Sequence, residues 1–205
     1  MWPSGYLIIT HGQKIDLYMK KHLKLYLKIT AIIAIFAFVV LLNKWAIGNG
    51  AAQELAMKFG YLGIFIASII SGFNLVVPVP IIGFYPFFLD AGFTSYLLII
   101  IISSGMMLGD VLGFLIGQAG RDFAMEKKKN FKIFTRLEKI HNRYPRALII
   151  VLLFYAAFVP LPNEIIVIPM AFLGYKFRYM ILALFVGNLV FNSLAAFGFF
   201  HLVNF

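Results

Sequence analysis

The sequence predicts an all-α, polytopic membrane protein. Of its 205 residues, 62% are hydrophobic and only 13% are charged, and the mean hydropathy is +0.92, whereas ordinary globular chains carry about 25% charged residues. The apolar residues form runs of membrane-spanning length, separated by basic stretches. Paired prolines interrupt two of these runs, and a regular helix does not continue through them. The predicted fold is two re-entrant helical hairpins in inverted repeats, with about three full transmembrane helices.

The positive charge follows the predicted membrane boundaries. Five of the eighteen lysines and arginines lie in residues 14–28 and nine lie in residues 121–146. The positive-inside rule then predicts a cytoplasmic N-terminus in a plasma or inner membrane, and this distribution argues against a nucleic-acid partner. The chain has no cysteine and its histidines are scattered, so neither a metal site nor a cofactor is predicted. Phosphate-binding loops and common hydrolase motifs are absent from the sequence, which argues against ATP-driven transport and against an enzyme.

The predicted segments alternate basic stretches with membrane segments. The chain begins with a cytoplasmic basic leader (1–28) and a first transmembrane helix (29–47). Repeat one (48–118) follows, with a re-entrant hairpin at 60–92 and a transmembrane helix at 95–118. After a basic cytoplasmic amphipathic segment (119–146) comes repeat two (147–205), with a re-entrant hairpin at 147–174 and a transmembrane helix at 179–203. The arms 147–159 and 163–173 are each too short to cross roughly 30 Å of hydrocarbon. In the first hairpin only the arm 81–89 is that short, so 60–77 is left open as an arm or a full span.

Regular spacings within the chain predict the repeat. Two proline motifs, Pro78-Val79-Pro80 and Pro160-Leu161-Pro162, are 82 residues apart. The same separation relates Gly92 to Gly174, and an offset of 78 relates Gly109-Asp110 to Gly187-Asn188. Hairpin-plus-span units of opposite topology are typical of carriers whose sites lie where the broken helices meet. Chance alignment of prolines is the alternative explanation.

Glycines recur every four residues along the helix predicted at 95–118. They are Gly105, Gly109, Gly113 and Gly117. Such a ridge lets two helix backbones approach closely in lipid, where van der Waals packing drives helix association. We therefore predict a helix-packing surface there.

Three acids lie away from the predicted flanks and surface segments, and two of them are candidates for a site. Asp110 lies beside the glycine ridge, and Glu164 lies two residues after Pro162 of the second proline motif. An acid in lipid is costly unless it is paired, protonated or hydrated, so both are candidates for a proton or head-group site. Burial disfavours the charged carboxylate, which is why Glu164 could bind a proton; capping of a helix N-terminus is its alternative role. For Asp110 the alternative is to cap free backbone amides of a hairpin, and Asp90 is interpreted as an interfacial residue.

The hairpin tips contain the remaining candidates. They are Pro78 and Pro80 at the first tip, and Pro160, Pro162 and Asn163 at the second. Four asparagines are interpreted as helix-packing residues, and their alternative roles are to satisfy broken backbone or to line a polar path: Asn74, Asn163, Asn188 and Asn192.

The order and spacing of three motifs resemble a known family. The motifs are Pro78-Val79-Pro80 to Gly92, Leu108-Gly109-Asp110 with Gly113 and Gly117, and Pro160-Leu161-Pro162-Asn163-Glu164 to Gly174. Over residues 50–200 they resemble the DedA family, also called the SNARE-associated Golgi protein or VTT-domain family. The resemblance implies facing re-entrant hairpins and movement of lipids between leaflets. Bacterial members recycle undecaprenyl phosphate with proton or ion coupling, and eukaryotic relatives scramble phospholipids.

The chain departs from the family pattern at three places. Many members have an acid just after the first proline motif, where this chain has Ile81-Ile82-Gly83-Phe84. Many have arginines beside the second proline motif, where this chain has Ala156-Ala157-Phe158 and Asn163-Glu164. The family's Gly-Arg element is altered to Gly117-Gln118-Ala119-Gly120-Arg121. A phosphate-binding arginine pair at the second hairpin therefore cannot be carried over.

The sequence thus predicts an ATP-independent flippase or scramblase for polyprenyl phosphate or phospholipid. Its expected partners are membrane lipids with anionic or phosphate head groups, and a homo-oligomer is left open. Two alternatives come from other classes: a membrane scaffold whose basic loop binds partners, and a small-solute or ion carrier on the same fold.

Overall fold

The computed structural model describes residues 33–73, 80–126 and 145–204, together with Leu23, Tyr26 and Thr30. The chain divides into two units, Met1–Val39 and Val40–Phe205. In the first unit the described residues are helical, and the sites discussed below lie in the second unit. The first proline motif up to residue 79 and most of the basic segments, including the amphipathic pattern of 127–144, lie outside the described residues.

The described regular structure is helical, which confirms the all-α prediction for this part of the chain. The elements are α1 (Ile33–Ala46), α2 (Gly50–Gly72), a 3-10 helix (Ile81–Phe84), α3 (Tyr85–Asp90), α4 (Ser95–Glu126), α5 (Pro145–Phe158), α6 (Glu164–Phe172) and α7 (Phe177–Asn204). Among the described residues, three helices are long and apolar enough to cross a membrane: Gly50–Gly72, Ser95–Phe123 and Phe177–Val203. Two of them coincide with predicted spans. The third contains most of the segment 60–77 that was left open.

A kink at Gly60 divides α2 and affects whether this helix is long enough to cross a membrane. Gly60 has φ 58° and ψ −158°, a conformation outside the helical region that glycine adopts without strain. Residues 61–72, beyond the kink, extend only about 18 Å at 1.5 Å per residue. Counted whole, α2 is long enough to span, but its straight apolar part is shorter than the hydrocarbon layer of roughly 30 Å.

Prolines determine where the short helices begin. After α5 ends at Phe158, the chain runs through Pro160 and Pro162 without regular structure, and α6 starts at Glu164. Proline lacks a backbone N–H, so helical hydrogen bonding stops at this pair. Pro169, by contrast, lies inside α6, and Pro86 lies in the first turn of α3, where a missing donor costs little.

The two short arms end in turns of the same type. Gly92 follows α3 with φ 93° and Gly174 follows α6 with φ 81°. In each turn the next residue bonds back across the helix end: Phe93 N–H donates to the Phe88 carbonyl (3.0 Å), and Tyr175 N–H donates to the Met170 carbonyl (3.2 Å). This is the Schellman pattern, which requires a left-handed residue and so favours glycine.

The helices of the two halves pack across one another. The long helix α4 contacts α2 of its own half and α6 of the second half, while α7 contacts α5 of its own half and the 3-10 helix and α3 of the first half. A Cβ added at Gly105 or Gly109 would meet α2, and one added at Gly113 or Gly117 would meet α6. The short arm of each half therefore lies against the long helix of the other half, with α4 and α7 in contact between them.

Candidate functional site: a buried cluster of carboxylates and amides

Four polar side chains meet where α4, α6 and α7 pack together. Asp110 lies in the middle of α4, Asn163 and Glu164 lie at the start of α6, and Asn188 lies on α7. Asp110 and Glu164 are each only 1% exposed, and both asparagines are buried. We call these four residues the amide–carboxylate cluster. It forms because the proline break starts α6 beside two long helices, α4 and α7, in the buried part of the protein.

Side-chain amides hold Asp110. Its Oδ2 atom accepts hydrogen bonds from Asn188 Nδ2 (3.0 Å) and Asn163 Nδ2 (3.1 Å), and Asn163 Nδ2 also donates to Asn188 Oδ1 (3.2 Å). Asp110 Oδ1 is buried and accepts no hydrogen bond from the described residues. The backbone-capping role considered for Asp110 is therefore not seen in the described part of the chain. The arrangement leaves a carboxylate oxygen able to take a proton or contact a cation.

Glu164 lies beside the same face of α4. A Cβ added at Gly113 would be 2.9 Å from Glu164 Cγ, so the missing side chain at Gly113 makes room for Glu164. Gly113 follows Asp110 by three residues, which places the two positions on one helix face. No described lysine or arginine is buried beside the two acids. The site thus brings two carboxylates together inside the apolar part of the molecule.

A second set of polar contacts continues the site along α7. Asn192 Nδ2 donates to Ser103 Oγ (3.0 Å) and approaches Met106 Sδ (3.4 Å), and Ser103 Oγ donates to the Asn188 carbonyl (3.3 Å). Asn192 Oδ1 is buried without a hydrogen-bond partner among the described residues. Asn163 and Asn188 were interpreted from the sequence as packing residues, but both hydrogen-bond directly to Asp110. Asn192 continues the row of buried polar side chains toward Ser103.

The first hairpin tip differs from the second. Pro78 lies outside the described residues, and Pro80 directly precedes the 3-10 helix. At the offset of 82 residues, Glu164 corresponds to Ile82, which is buried and apolar. Pro160 and Pro162 flank the break that positions Asn163 and Glu164, and the Tyr155 hydroxyl donates to the Pro162 carbonyl at 3.4 Å. Within the described residues of the two predicted tips, the candidate polar side chains are thus Asn163 and Glu164 at the second tip.

Sequence reasoning missed Asn43, which holds the first short arm. This fully buried residue donates through Nδ2 to the Gly83 carbonyl and accepts from Phe87 N–H at 3.0 Å. A polar residue near the end of an apolar run was the only available signal. Asp90, interpreted as interfacial, is exposed and accepts hydrogen bonds from Gln53 Nε2 (2.6 Å) and Gly48 N–H (3.1 Å).

Comparison with known protein families, curated proteins and solved structures finds no match to this chain. The described structure itself defines an all-α protein with three helices able to cross a membrane and a buried amide–carboxylate cluster where its two halves meet. The DedA resemblance remains a prediction that depends on the motifs alone.

Proposed function

We propose that this protein is an ATP-independent transporter that moves phosphate-headed lipid between membrane leaflets, and that protonation of the amide–carboxylate cluster controls the movement. The observation that carries the proposal is Asp110, a carboxylate buried in the apolar interior and bonded by two neutral amides. An acid at such a position is costly to retain and is by default functional. The choice of lipid as substrate depends on the motif resemblance.

We further propose that the two halves are inverted repeats. Three observations support this: the order of arm, break, short helix, glycine turn and long helix occurs twice; the turns at Gly92 and Gly174 share one hydrogen-bond pattern; and each short arm packs against the other half's long helix. Asp110 and Asn188, equivalent at the offset of 78, bond each other directly. Carriers built from inverted repeats bind their ligands at such a junction.

Proton binding would act on the hairpin tip through the bonds of Asp110. While Asp110 is ionised, Asn163 and Asn188 donate charge-assisted hydrogen bonds that tie the start of α6 to α4 and α7. Such bonds contribute about 1.5–3 kcal/mol each, against about 0.5–1.5 kcal/mol for neutral ones. A proton on Asp110 therefore weakens the hold on the second tip and lets α6 move relative to α4. Glu164, beside the same face of α4, supplies a second carboxylate for the proton.

The experiment is lipid exchange by purified protein in liposomes, using fluorescent phospholipid and a membrane-impermeant quencher across a pH series. Glu164→Gln keeps the size of the side chain but cannot titrate, so exchange should fall and lose its dependence on pH. Glu164→Asp should keep partial, pH-dependent activity. Glu54→Gln, which neutralises an exposed acid on α2, is the matched control and should behave like the wild type.

Thermal stability measured beside transport separates a proton site from a helix cap. If Glu164 only caps α6, aspartate should preserve stability and glutamine should lower it. A Glu164→Gln variant that is stable and fully active at every pH would end the proton-site proposal for Glu164.

A cation carrier is the second candidate function, and the buried oxygens favour it. Asp110 Oδ1 and Asn192 Oδ1 accept no hydrogen bond from the described residues, and hard cations bind such oxygens. Stabilisation by sodium at constant ionic strength, lost in Asp110→Asn, would favour this candidate over proton coupling.

A further inference from the structure

A groove lies along the C-terminal half of α4, near the start of the predicted basic segment 119–146. Its volume is about 420 Å³, and it lies between α4 and the turn joining α6 to α7. Arg121, Gln118 and Tyr175 line its polar part, and Val111, Leu115 and Phe177 line its apolar part. We call it the Arg121 groove.

Glycine at position 174 allows the arginine to lie in this groove. A Cβ added at Gly174 would overlap the Arg121 guanidinium, and Gly174 also needs its positive φ of 81° for the turn. Arg121 is half-buried and makes no hydrogen bond or ion pair with other residues in the described ranges. The guanidinium is thus placed in a concave site with its donors available to a ligand.

The lining of the groove is polar at one end and apolar at the other, as a lipid molecule is. From Arg121 to Val111 the α4 wall extends about 15 Å, changing from cation and amide to aliphatic side chains. A guanidinium matches the geometry of a phosphate and binds it through paired N–H donors. The groove volume lies in the range of sites for drug-sized ligands, so an occupant with both a phosphate and an apolar chain fits better than a free ion.

We infer that the Arg121 groove binds one anionic lipid, with its phosphate on Arg121 and its acyl chain along Leu115 and Val111. Phe114, which also lines the groove, lies one helical turn after Asp110 on the same face of α4, so the inner end of the groove is about one turn from the amide–carboxylate cluster. In that role the groove is a head-group site of the proposed transporter, and this role depends on the proposed function. Lipid binding itself, however, is measurable without transport.

The test is titration of detergent-solubilised protein with phosphatidic acid and, separately, phosphatidylcholine, followed by native mass spectrometry. Arg121→Gln should weaken phosphatidic acid binding about tenfold or more, because a charge-assisted bond is lost. Arg121→Lys should give an intermediate affinity, since the charge stays but the paired donors are lost. Arg178→Gln removes an exposed arginine that stacks on Tyr179 and should change the affinity less than twofold.

Two further measurements distinguish a lipid phosphate from free inorganic phosphate as the ligand. Leu115→Ala should weaken phosphatidic acid binding while all variants keep the wild-type melting temperature. Inorganic phosphate should compete only weakly, because it lacks the acyl chain. Equal losses in Arg121→Gln and Arg178→Gln, no loss in Arg121→Gln, or displacement of lipid by equimolar inorganic phosphate would each overturn the inference. Retained lipid binding with no leaflet exchange would refute the transport proposal and leave this site intact.

Discussion

The contact between α4 and α2 depends on the missing side chain at Gly109, and Gly109→Ala tests it. A Cβ there would lie 2.5 Å from the Gly72 carbonyl carbon and 2.6 Å from the Ile69 carbonyl oxygen. These are backbone atoms, which cannot rotate away as the end of a flexible side chain can. The two helices must therefore separate, and overpacking of this kind costs about 1–3 kcal/mol.

Gly198→Ala is the matched control on α7. A Cβ at Gly198 would meet nothing within 4 Å, so the variant reports only the general effect of alanine in a helix, about 0.5–1 kcal/mol in favour of folding. That effect is common to both variants. The difference between them is the overpacking cost itself, about 1–3 kcal/mol.

Thermal unfolding of the purified variants in detergent, followed by circular dichroism, measures this difference. At about 2–4 °C per kcal/mol for a chain of this length, Gly109→Ala should melt about 2–12 °C below Gly198→Ala. Equal melting temperatures would refute the close contact between the backbones of α2 and α4. Gly113→Ala provides a graded comparison, because its Cβ would meet the movable side chain of Glu164 at 2.9 Å; it should lose less stability but reduce transport.

Two further predictions concern topology and the first short arm. Cysteines introduced singly at Arg146 and Lys176 into this cysteine-free chain should both react only with reagent admitted to the cytoplasm, because the proposed re-entrant hairpin of α5 and α6 would return the chain to the side from which it entered. Labelling from opposite sides would contradict the inverted repeat. Asn43→Leu removes two buried hydrogen bonds to the backbone of that arm and should lower the free energy of unfolding by about 1–3 kcal/mol. Ser104→Ala, which loses a bond only within its own helix, is the control, and equal stability of the two variants would contradict the role given to Asn43.

Much of the helical framework was predictable because its signals are local. Pro160 and Pro162, one residue apart, remove two backbone donors from a single helical turn, so the break before Glu164 could be predicted from the sequence alone. The equal spacing of Gly92 and Gly174 was also visible in the sequence, whereas their positive φ of 93° and 81° is a finding of the structure. The α4 helix runs further than the predicted 95–118, to Glu126, because hydropathy marks the expected membrane limits and not the end of helical hydrogen bonding.

The partners of the two acids were not predictable in the same way. Asp110 and Glu164 were chosen from the sequence because a carboxylate in an apolar run is costly wherever it lies. That Asn163 and Asn188 bond Asp110, across separations of 53 and 78 residues, depends on which helices are neighbours.

The sequence by itself therefore determined that this is an apolar, helical protein of membrane type, and it identified the proline breaks, the glycine ridge and the two candidate acids. Only the tertiary structure decided that Gly113 makes room for Glu164, that Asn43 holds the first short arm, and that Arg121 lies over Gly174. The physical reason is that hydropathy and backbone constraints belong to single residues. Hydrogen bonds and close contacts between helices exist only once packing has brought distant segments together.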